Sequence, residues 1–568
     1  MVLVVMLLSI YKTFVPPPTE TPELTASARE TLAATGVIID VASSNTKQNW
    51  INAVAEQFNA DGHTTSAGRQ IFVQVSHVLS GGSQQAILSG TLQPTVWSPG
   101  EYSWVEGANQ VWQDRTGHAL VSEHCLPTAN APSGLAMWRP MAEALGWPDT
   151  PIGWGDLLAL ANADDGWGSV GHPEWGAFQF GHVHPDFSNV GLLLLSSLAY
   201  HAAGKTAGLQ VTDVYSDPAQ TAFRQLELKT YHYGLQSRDL LDLMVNRGPS
   251  YLHAVTTSEA ETLRTNAERG DRLRFPLAFI FLSDGTFWSE HPYCILSEAE
   301  WVSDEQQDAA RIFRDYLLSP SQQDIAVNYY IRPVNQQSPL HAPIALEYGT
   351  DPRVTQATSP ALESPSADVA NAVRDVFHMT KKPAAVLLIL DTSGSMGGDL
   401  ITNAVASAQN FIRRMSARDE VYVLGFSTTP VWIGQGGLIS EVGETIVQNV
   451  GGLYADGGTA LHDAMCMAVA TIEDVRARHD AAGEPHLYGI VLLSDGGDTS
   501  STITENQMFE MCLPDGENAD GVKVFTISYG QYADQDLMTR IARRTNGKPF
   551  QGGPDNIEQI YSAISAEQ

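Results

Sequence analysis

The strongest constraint on the fold of this chain is an alternation of apolar and amphipathic segments that begins near Lys382. Four mostly apolar runs are typical of buried strands: AVLLILD, EVYVLGFS, GIVLLSD and VKVFTISYG. Segments with helical periodicity, such as ITNAVASAQNFIRRM and LHDAMCMAVATIEDVRAR, lie between them. This alternation is typical of a parallel sheet with helices on both faces. We therefore predict a doubly wound, Rossmann-like α/β domain over residues 382–568.

Side chains that carry oxygen follow the strands of this predicted domain. Asp391, Ser393 and Ser395 come directly after the first strand, Thr459 lies in a glycine-rich loop that opens a helix, and Asp495 follows the third strand. Parallel strands share a carboxyl edge, so these loops should converge there. Two carboxylates and three hydroxyls suit Mg²⁺ or Mn²⁺, with Ca²⁺ as a third candidate. An ordinary strand-to-helix turn would also account for the first loop taken alone.

This spacing resembles the metal-ion-dependent adhesion site of a von Willebrand factor type A domain, over about residues 382–568. The resemblance implies that Ser393, Ser395 and Thr459 bind the ion directly, while Asp391 and Asp495 act largely through water. It also implies that an Asp or Glu of a partner protein completes the coordination. We therefore expect recognition of a protein that depends on a divalent cation.

Enzymatic alternatives lack their required residues. Phosphatases of the haloacid-dehalogenase type use Asp-x-Asp, and this chain has Ser393 where the second carboxylate would act as general acid. Nucleophile-elbow, phosphate-loop and zinc-protease motifs are absent from the sequence. A formal net charge of −32 excludes nucleic acid as an expected partner, because phosphate binding needs clustered Lys and Arg. We therefore expect a binding protein and not an enzyme.

Three strand–loop–helix units precede this domain, beginning at GVIIDVASSNTKQNW, SHVLSGGSQQAILSG and GHVHPDFSNVGLLLL. Helix N-termini present free backbone N–H groups, which suit anions and polar oxygens. The arrangement resembles bacterial extracellular solute-binding proteins of the two-lobed, type II periplasmic class, which implies a cleft for a small molecule or an oxyanion. Plain helix N-capping would account equally well for the candidate cleft residues. These are Ser43, Ser44, Asn45, Ser83, Ser188 and Asn189.

The two ends of the solute-binding-like domain are marked by composition. Residues 1–15 are apolar and are predicted to be a truncated export signal or membrane anchor, and the Pro-rich residues 16–35 a tether. A hydrophobic N-terminal strand of a soluble protein is the alternative. We assign 36–345 to the solute-binding-like domain and the Pro- and Ser-rich 346–381 to a connector. The four cysteines allow three full pairings, which the sequence leaves open.

Together these features predict a membrane-tethered, extracytoplasmic binding protein on the cell surface or in the periplasm. Its expected activity is cation-dependent recognition of a protein, modulated by a small ligand in the first domain. The alternative is the substrate-binding receptor of an ABC-type importer in which the second domain only helps docking.

Overall fold

The computed structural model describes residues 36–334, 339–513, 521–530, 533–553 and 556–566, together with Arg29, Leu32, Ala34 and Thr35. The predicted anchor and nearly all of the predicted tether lie outside this range. Within the described residues, no helix combines the length and the apolar character that crossing a bilayer requires. These residues fall into two compact units. One contains the chain up to Thr230 and Gly234–Thr380, and the other contains Tyr231–Tyr233 and the chain from Lys381 onward.

The part of the chain that the structure describes contains eighteen strands, which we number in order. They are β1 Gly36–Ser43, β2 Gln70–His77, β3 Val96–Ser98, β4 Leu126–Pro127, β5 Ala131–Trp138, β6 Phe180–Val183, β7 Thr230–Gly234, β8 Ala254–Ser258, β9 Leu277–Ile280, β10 Phe287–Ser289, β11 Pro292–Ile295, β12 Ala384–Asp391, β13 Glu420–Phe426, β14 Pro430–Trp432, β15 Gly437–Leu438, β16 Leu487–Ser494, β17 Lys523–Tyr529 and β18 Pro549–Gly552.

The helices of the first unit are Gln48–Asp61, Ser80–Ser89, Tyr102–Thr116, Arg139–Ala144, Trp154–Asn162, Asn189–Ala203, Val211–Val214, Asp217–Leu228, Ser237–Arg247, Glu259–Arg269, Asp304–Leu317, Pro320–Asn328 and Ala367–Thr380. Short 3₁₀ turns lie at Asn45–Lys47, Gly166–Val170, Pro173–Trp175 and Leu346–Tyr348. The helices of the second unit are Asp399–Arg414, Ile439–Val450, Leu461–Ala482, Glu505–Gln507, Gln535–Arg544 and Ile557–Ala566, with a 3₁₀ turn at Gly394–Met396 and a π turn at Met508–Cys512.

The second unit contains the predicted doubly wound sheet, with strand order β14-β13-β12-β16-β17-β18 and with β15 also paired to β13. Strand β12 runs parallel to both β13 and β16, and all eight of its residues are buried. Burial on both faces explains why this strand is apolar without interruption. The four apolar runs identified in the sequence are β12, β13, β16 and β17, so that prediction is confirmed. The short strands β14, β15 and β18 were not predicted.

The first unit contains two sheets, which define two lobes. The first lobe is built on β2-β1-β3-β11-β4 and the second on β10-β5-β8-β6-β7, with β9 paired to β5. The predicted apolar face of helix Gln48–Asp61 is buried in the core of the first lobe: Trp50, Ile51, Val54 and Phe58 are each at most 1% exposed. The predicted two-lobed fold is thus confirmed.

Two neighbouring segments carry the chain between the lobes. One is Thr128–Asn130, between β4 and β5, and the other is Glu290–His291, between β10 and β11. The backbone N–H groups of Thr128 and Ala129 both donate to the carbonyl of Glu290, at 3.0 and 3.3 Å. The two segments therefore lie side by side, in the position of a hinge between the lobes.

The structure also settles the cysteine pairing that the sequence left open. Cys125 pairs with Cys294 in the first unit, and Cys466 pairs with Cys512 in the second. Both bridges therefore lie within single units.

The segment assigned to a connector is partly helical. Helix Ala367–Thr380 belongs to the first unit, and the compact second unit resumes at Lys381. We refer to Glu363–Thr380 as the strap, because its residues contact both lobes.

The strap contacts the first lobe through two hydrogen bonds and one cation–π interaction. Ser364 Oγ donates to Glu101 at 2.7 Å, the backbone N–H of Ala367 donates to Glu106 at 3.2 Å, and the guanidinium of Arg374 lies 4.6 Å from the ring centre of Trp104.

The strap is bonded to the second lobe as well. Tyr200 donates to the carbonyl of Glu363 and Tyr215 to Asp375, each at 2.9 Å, and His378 lies 3.0 Å from Asp186. The segment that leads directly into β12 therefore spans both lobes.

Candidate functional site

The predicted metal ligands lie at the carboxyl edge of the second unit's sheet. Asp391 is the last residue of β12, and Asp495 follows the last residue of the neighbouring strand β16. From β12 the chain goes to β13 on one side and later to β16 on the other, so the strand order reverses between β12 and β16. Ligands of open α/β sheets bind outside the carboxyl ends of the strands at such a reversal.

Hydrogen bonds connect four of the five predicted residues. One carboxylate oxygen of Asp391 accepts from the backbone N–H of Ser393 at 2.8 Å, and the other accepts from Ser494 Oγ at 2.6 Å. The hydroxyls of Ser393 and Ser395 lie 3.0 Å apart, and Ser395 donates to Asp495 at 2.8 Å. Residues from two separate loops thus form one connected oxygen-rich set.

The loop that carries Thr459 is bonded to both of these loops. The backbone N–H of Gly394 donates to the carbonyl of Gly457 at 3.0 Å. The backbone N–H of Thr459 donates to Thr499 Oγ1 at 2.9 Å, and its carbonyl accepts from the N–H of Thr499 at 2.8 Å. All three predicted loops therefore meet at one edge of the sheet.

The electrostatics of this edge favour a cation. Burial raises the pKa of Asp391, against hydrogen bonds from Ser393 and Ser494, and the nearby charge of Asp495 raises it further. Burial likewise raises the pKa of Asp495. No ion pair among the described residues includes either carboxylate. Two desolvated carboxylates of like charge are stabilised when a cation joins them, and an all-oxygen set suits a hard ion.

Among the described residues, no three or more His, Cys, Asp or Glu side chains cluster so that they could hold a metal ion. The predicted site contains only two carboxylates, and its other ligands are hydroxyls. This chemistry fits a hard divalent ion, for which Ser393, Ser395 and Thr459 would be the neutral candidate ligands and Asp391 and Asp495 the charged members.

A second candidate site is the cleft between the lobes of the first unit. It encloses a cavity of about 40 Å³. A single water needs a cavity of roughly 10–15 Å³, so this cavity has room for a compact solute. Its lining residues are Ser44, Asn45, Thr46, Leu79, Ser80, Gly100, Ala131, Ser133, Ser188, Asn189, Val190, Gln236, Ser237, Ser258, Glu261, Ser289 and His291.

Four of the six residues predicted for the cleft line this cavity: Ser44, Asn45, Ser188 and Asn189. Ser43 and Ser83 do not. Their hydroxyls are used inside the first lobe, where Ser43 donates to the carbonyl of Ser44 and Ser83 donates to that of Ser80.

N-capping does not account for the two serines that stand directly before these helical segments. Ser44 precedes the turn Asn45–Lys47 and Ser188 precedes helix Asn189–Ala203, but neither side chain accepts a hydrogen bond from a backbone N–H of its helical segment; Ser44 Oγ accepts instead from the ammonium of Lys47, at 3.0 Å. Backbone N-capping is therefore not what places these two serines at the cavity.

The remaining polar lining was not identified from the sequence. Ser258 and Ser237 lie where a helix follows a strand, so the pattern used for the first three units could have found them. Glu261 lies in the first turn of helix Glu259–Arg269. His291 lies in a crossover between lobes and carries no local signal.

The lobes are in direct contact around the cavity. The backbone N–H of Gly81 donates to the carbonyl of Phe187 at 3.2 Å, and Asn45 donates to Gln236 at 3.0 Å. The indole of Trp104 donates to Asn189 at 2.9 Å. The structure thus has a closed cleft.

Comparisons with known proteins agree with the division into two units. A family model described as bacterial extracellular solute-binding protein matches residues 39–332, which is more than half of the chain. A model of the von Willebrand factor type A domain matches residues 385–560.

Individual relatives are distant. An uncharacterised protein of Synechocystis sp. is 26% identical over 181 residues, which cover 32% of this chain and 40% of that protein. The match thus spans less than half the length of that relative. A von Willebrand factor type A structure from Catenulispora acidiphila is 17% identical, with a TM-score of 0.28, and covers 33% of this chain and 43% of its own. The periplasmic binding protein AfuA from Actinobacillus pleuropneumoniae, with fructose-6-phosphate bound, is 13% identical, with a TM-score of 0.41, and covers 59% and 96%.

Proposed function

The chain belongs to the bacterial extracellular solute-binding proteins and carries a von Willebrand factor type A domain after that module, and on this basis we propose that it is a binding protein with two coupled sites. The second unit recognises another protein through a divalent cation. The first unit holds a small solute that modulates this recognition. The observation that carries the proposal is the connected oxygen set at the carboxyl edge of β12 and β16.

The metal site supports recognition of a carboxylate. Only two of its five side chains are charged, so a divalent ion held by them keeps part of its attraction for an outside anion. Ser395 is exposed, which leaves the edge accessible to a partner. Mg²⁺ or Mn²⁺ is the expected ion, since both accept oxygen ligands and retain waters that an incoming Asp or Glu can displace.

The strap supports coupling between the two sites. If the solute draws the lobes together, a segment bonded to both lobes must change its contacts with at least one of them. Trp104, on which Arg374 of the strap lies, also donates to Asn189 in the wall of the cavity. A solute that contacts Asn189 can therefore act on the strap through Trp104 and Arg374, and the strap leads into β12.

Calorimetric titration of Mn²⁺ into the full chain tests the metal site. We expect Asp391→Asn to abolish Mn²⁺ binding, because the amide keeps the size of the carboxylate and removes its charge. The matched control is Asp399→Asn, which changes an exposed carboxylate at the start of helix Asp399–Arg414 and should leave binding intact. Equal Mn²⁺ affinity in wild type and Asp391→Asn would overturn the site.

Protein recognition is tested with the immobilised full chain and an extract of extracytoplasmic proteins from a bacterium that produces this chain. A partner should be retained by the wild type in Mg²⁺, released by a chelator and absent from Asp391→Asn. Retention that survives the chelator would contradict the proposed mechanism. If the chain instead enters a complex with a permease and binds no other protein, the importer receptor becomes the better assignment.

The proposed location is outside the cytoplasm, with attachment to the membrane through the N-terminus. Two disulfides support an oxidising compartment, since such bridges are rare where thiols are kept reduced. Protease added to intact cells, with the outer membrane permeabilised where one is present, should digest both units. Full protection while the cytoplasmic membrane stays intact would contradict this location.

A further inference from the structure

Lys47 is a buried lysine beside the solute cleft, and burial lowers its pKa to about 7, so the ammonium form dominates below that pH. Its side chain is 0% exposed, and its ammonium donates to Ser44 Oγ and to the carbonyl of Ser98, each at 3.0 Å. It also lies 3.3 Å from His291 Nδ1. Among the described residues, no carboxylate forms an ion pair with Lys47. A buried charge without a counter-charge is costly, so the site gains free energy from any anion that can approach it.

His291 connects Lys47 to the cavity. Its Nδ1 faces the ammonium of Lys47 and, at 2.9 Å, the hydroxyl of Ser44. An ammonium can only donate, so Nδ1 accepts and the ring proton lies on Nε2. Burial, together with the charge of Lys47, holds the pKa of His291 well below its ordinary value, so the ring is neutral.

The Nε2–H of His291 is an unused donor. The side chain is 2% exposed and lines the cavity, and Nε2 has no hydrogen bond of acceptable geometry among the described residues, although the backbone of Pro99 lies near enough to the ring to act against the lowering of its pKa. The residue also has a φ of 46°, a left-handed conformation in which histidine, like asparagine and aspartate, is found more often than most side chains. A buried donor without a partner at the wall of the cavity indicates that the solute supplies an acceptor.

The rest of the lining does not cancel the charge of Lys47. Glu261 is the only charged side chain that lines the cavity, and burial raises its pKa. The charges of Arg264 and Arg238 act on it in the opposite direction, so this carboxyl has its own cations. Asn45 Oδ1 also lacks a partner and, as an acceptor, suits a water or a protonated oxygen of the solute. His291 is the only ring in the lining, so a stacked sugar has no platform.

We propose that Lys47 is the counter-charge of a compact oxyanion in the cleft and acts on it through Ser44 and His291. This rests on the proposed solute-binding function; the resemblance already allowed an oxyanion, and the structure adds the residue that selects its charge. Lys47 is a positioning residue, because Ser44 and His291 lie between its ammonium and the cavity.

Calorimetric titration of the full chain with inorganic sulfate and inorganic phosphate tests the proposal, after removal of any bound solute and at a pH below 7, where Lys47 is protonated. We expect at least one anion to bind, and Lys47→Met to weaken that binding by tenfold or more. His291→Asn should weaken it as well, since asparagine tolerates the left-handed backbone but lacks the ring donor. Lys229→Met, at a partly buried lysine after helix Asp217–Leu228, is the matched control and should bind like wild type.

Thermal unfolding separates this role from a structural one. Without anion, Lys47→Met should melt at the same temperature as wild type or higher, because a buried unpaired charge has been removed. With anion, only the wild type and Lys229→Met should gain stability. Unchanged anion affinity in Lys47→Met, or failure of both anions to bind the wild type, would overturn the counter-charge. Mass spectrometry of the untreated protein then separates a failure of the counter-charge from a failure of solute binding. A neutral bound solute would contradict the counter-charge but agree with solute binding. The absence of any bound solute would contradict solute binding as well.

Discussion

Replacing Gly81 with alanine should hold the cleft open. Gly81 lies at the start of helix Ser80–Ser89 in the first lobe, and a Cβ built there would meet the backbone oxygen of Asp186, in the second lobe, at 2.3 Å. The next glycine provides a matched control, because a Cβ at Gly82 would have only a Val78 methyl within reach, at 3.8 Å. Both substitutions place alanine in the same helix and should stabilise it equally, by about 0.5–1 kcal/mol.

The size of the effect follows from this contact. Ordinary contacts begin near 3.4 Å, so the lobes must separate by roughly 1 Å or distort around the new methyl group. Overpacking of this kind typically costs about 1–3 kcal/mol. If the solute binds only the closed state, its apparent dissociation constant should rise by roughly fivefold to more than a hundredfold.

Calorimetric titration of sulfate and phosphate into the full-length variants measures this change. We expect Gly82→Ala to bind like wild type and Gly81→Ala to lose most of its affinity while melting at a similar temperature. Small-angle scattering of the isolated first unit, if it folds alone, should show a larger radius for Gly81→Ala in the presence of anion. Equal affinities in the two variants would show that closure does not bring these lobes together as described.

Three further predictions concern the metal site, Lys47 and the disulfides. At a Mn²⁺ concentration 100 times its dissociation constant, the second unit should gain about 2.7 kcal/mol of unfolding free energy, and Asp391→Asn should gain none, as measured by chemical denaturation. Burial lowers the pKa of Lys47 from 10.5 to about 7, so between these pH values the unfolded chain binds more protons than the folded chain. The charge of Lys47 also lowers the pKa of His77 and of His291, and both rings are already neutral in this range. The stability of wild type relative to Lys47→Met should therefore rise with pH above 7, by at most about 1.4 kcal/mol per pH unit, and parallel profiles would contradict the buried charge. Replacing Cys466 and Cys512 with serine should lower the unfolding free energy of the second unit by roughly 2–4 kcal/mol, with no loss expected in the first unit.

The sequence was sufficient for the fold of the second unit and for the composition of its candidate metal site. An uninterrupted apolar strand such as β12 can only be buried on both faces, and the carboxyl ends of parallel strands must share an edge. Asp391 and Asp495 could therefore be placed together from residues 104 positions apart in the chain. The identity of a bound ion and the ligand roles of Ser393, Ser395 and Thr459 stay predictions.

The first unit was predicted less completely, and the reason is physical. Strand–loop–helix units are local patterns, so the sequence could nominate Ser44, Asn45, Ser188 and Asn189. The sequence does not show which nominated hydroxyls are used within a lobe, and Ser43 and Ser83 are.

Only the tertiary structure placed Lys47 against His291, 244 residues away, because their contact depends on a crossover between lobes that has no local signature. The same holds for the strap: its Pro- and Ser-rich beginning has the composition of a linker, but its contacts with two lobes come from partners spread over the first unit. Apolar periodicity and spacing determine which elements form and which edge they share. The charge balance of a cavity depends on side chains that meet only after the chain has folded.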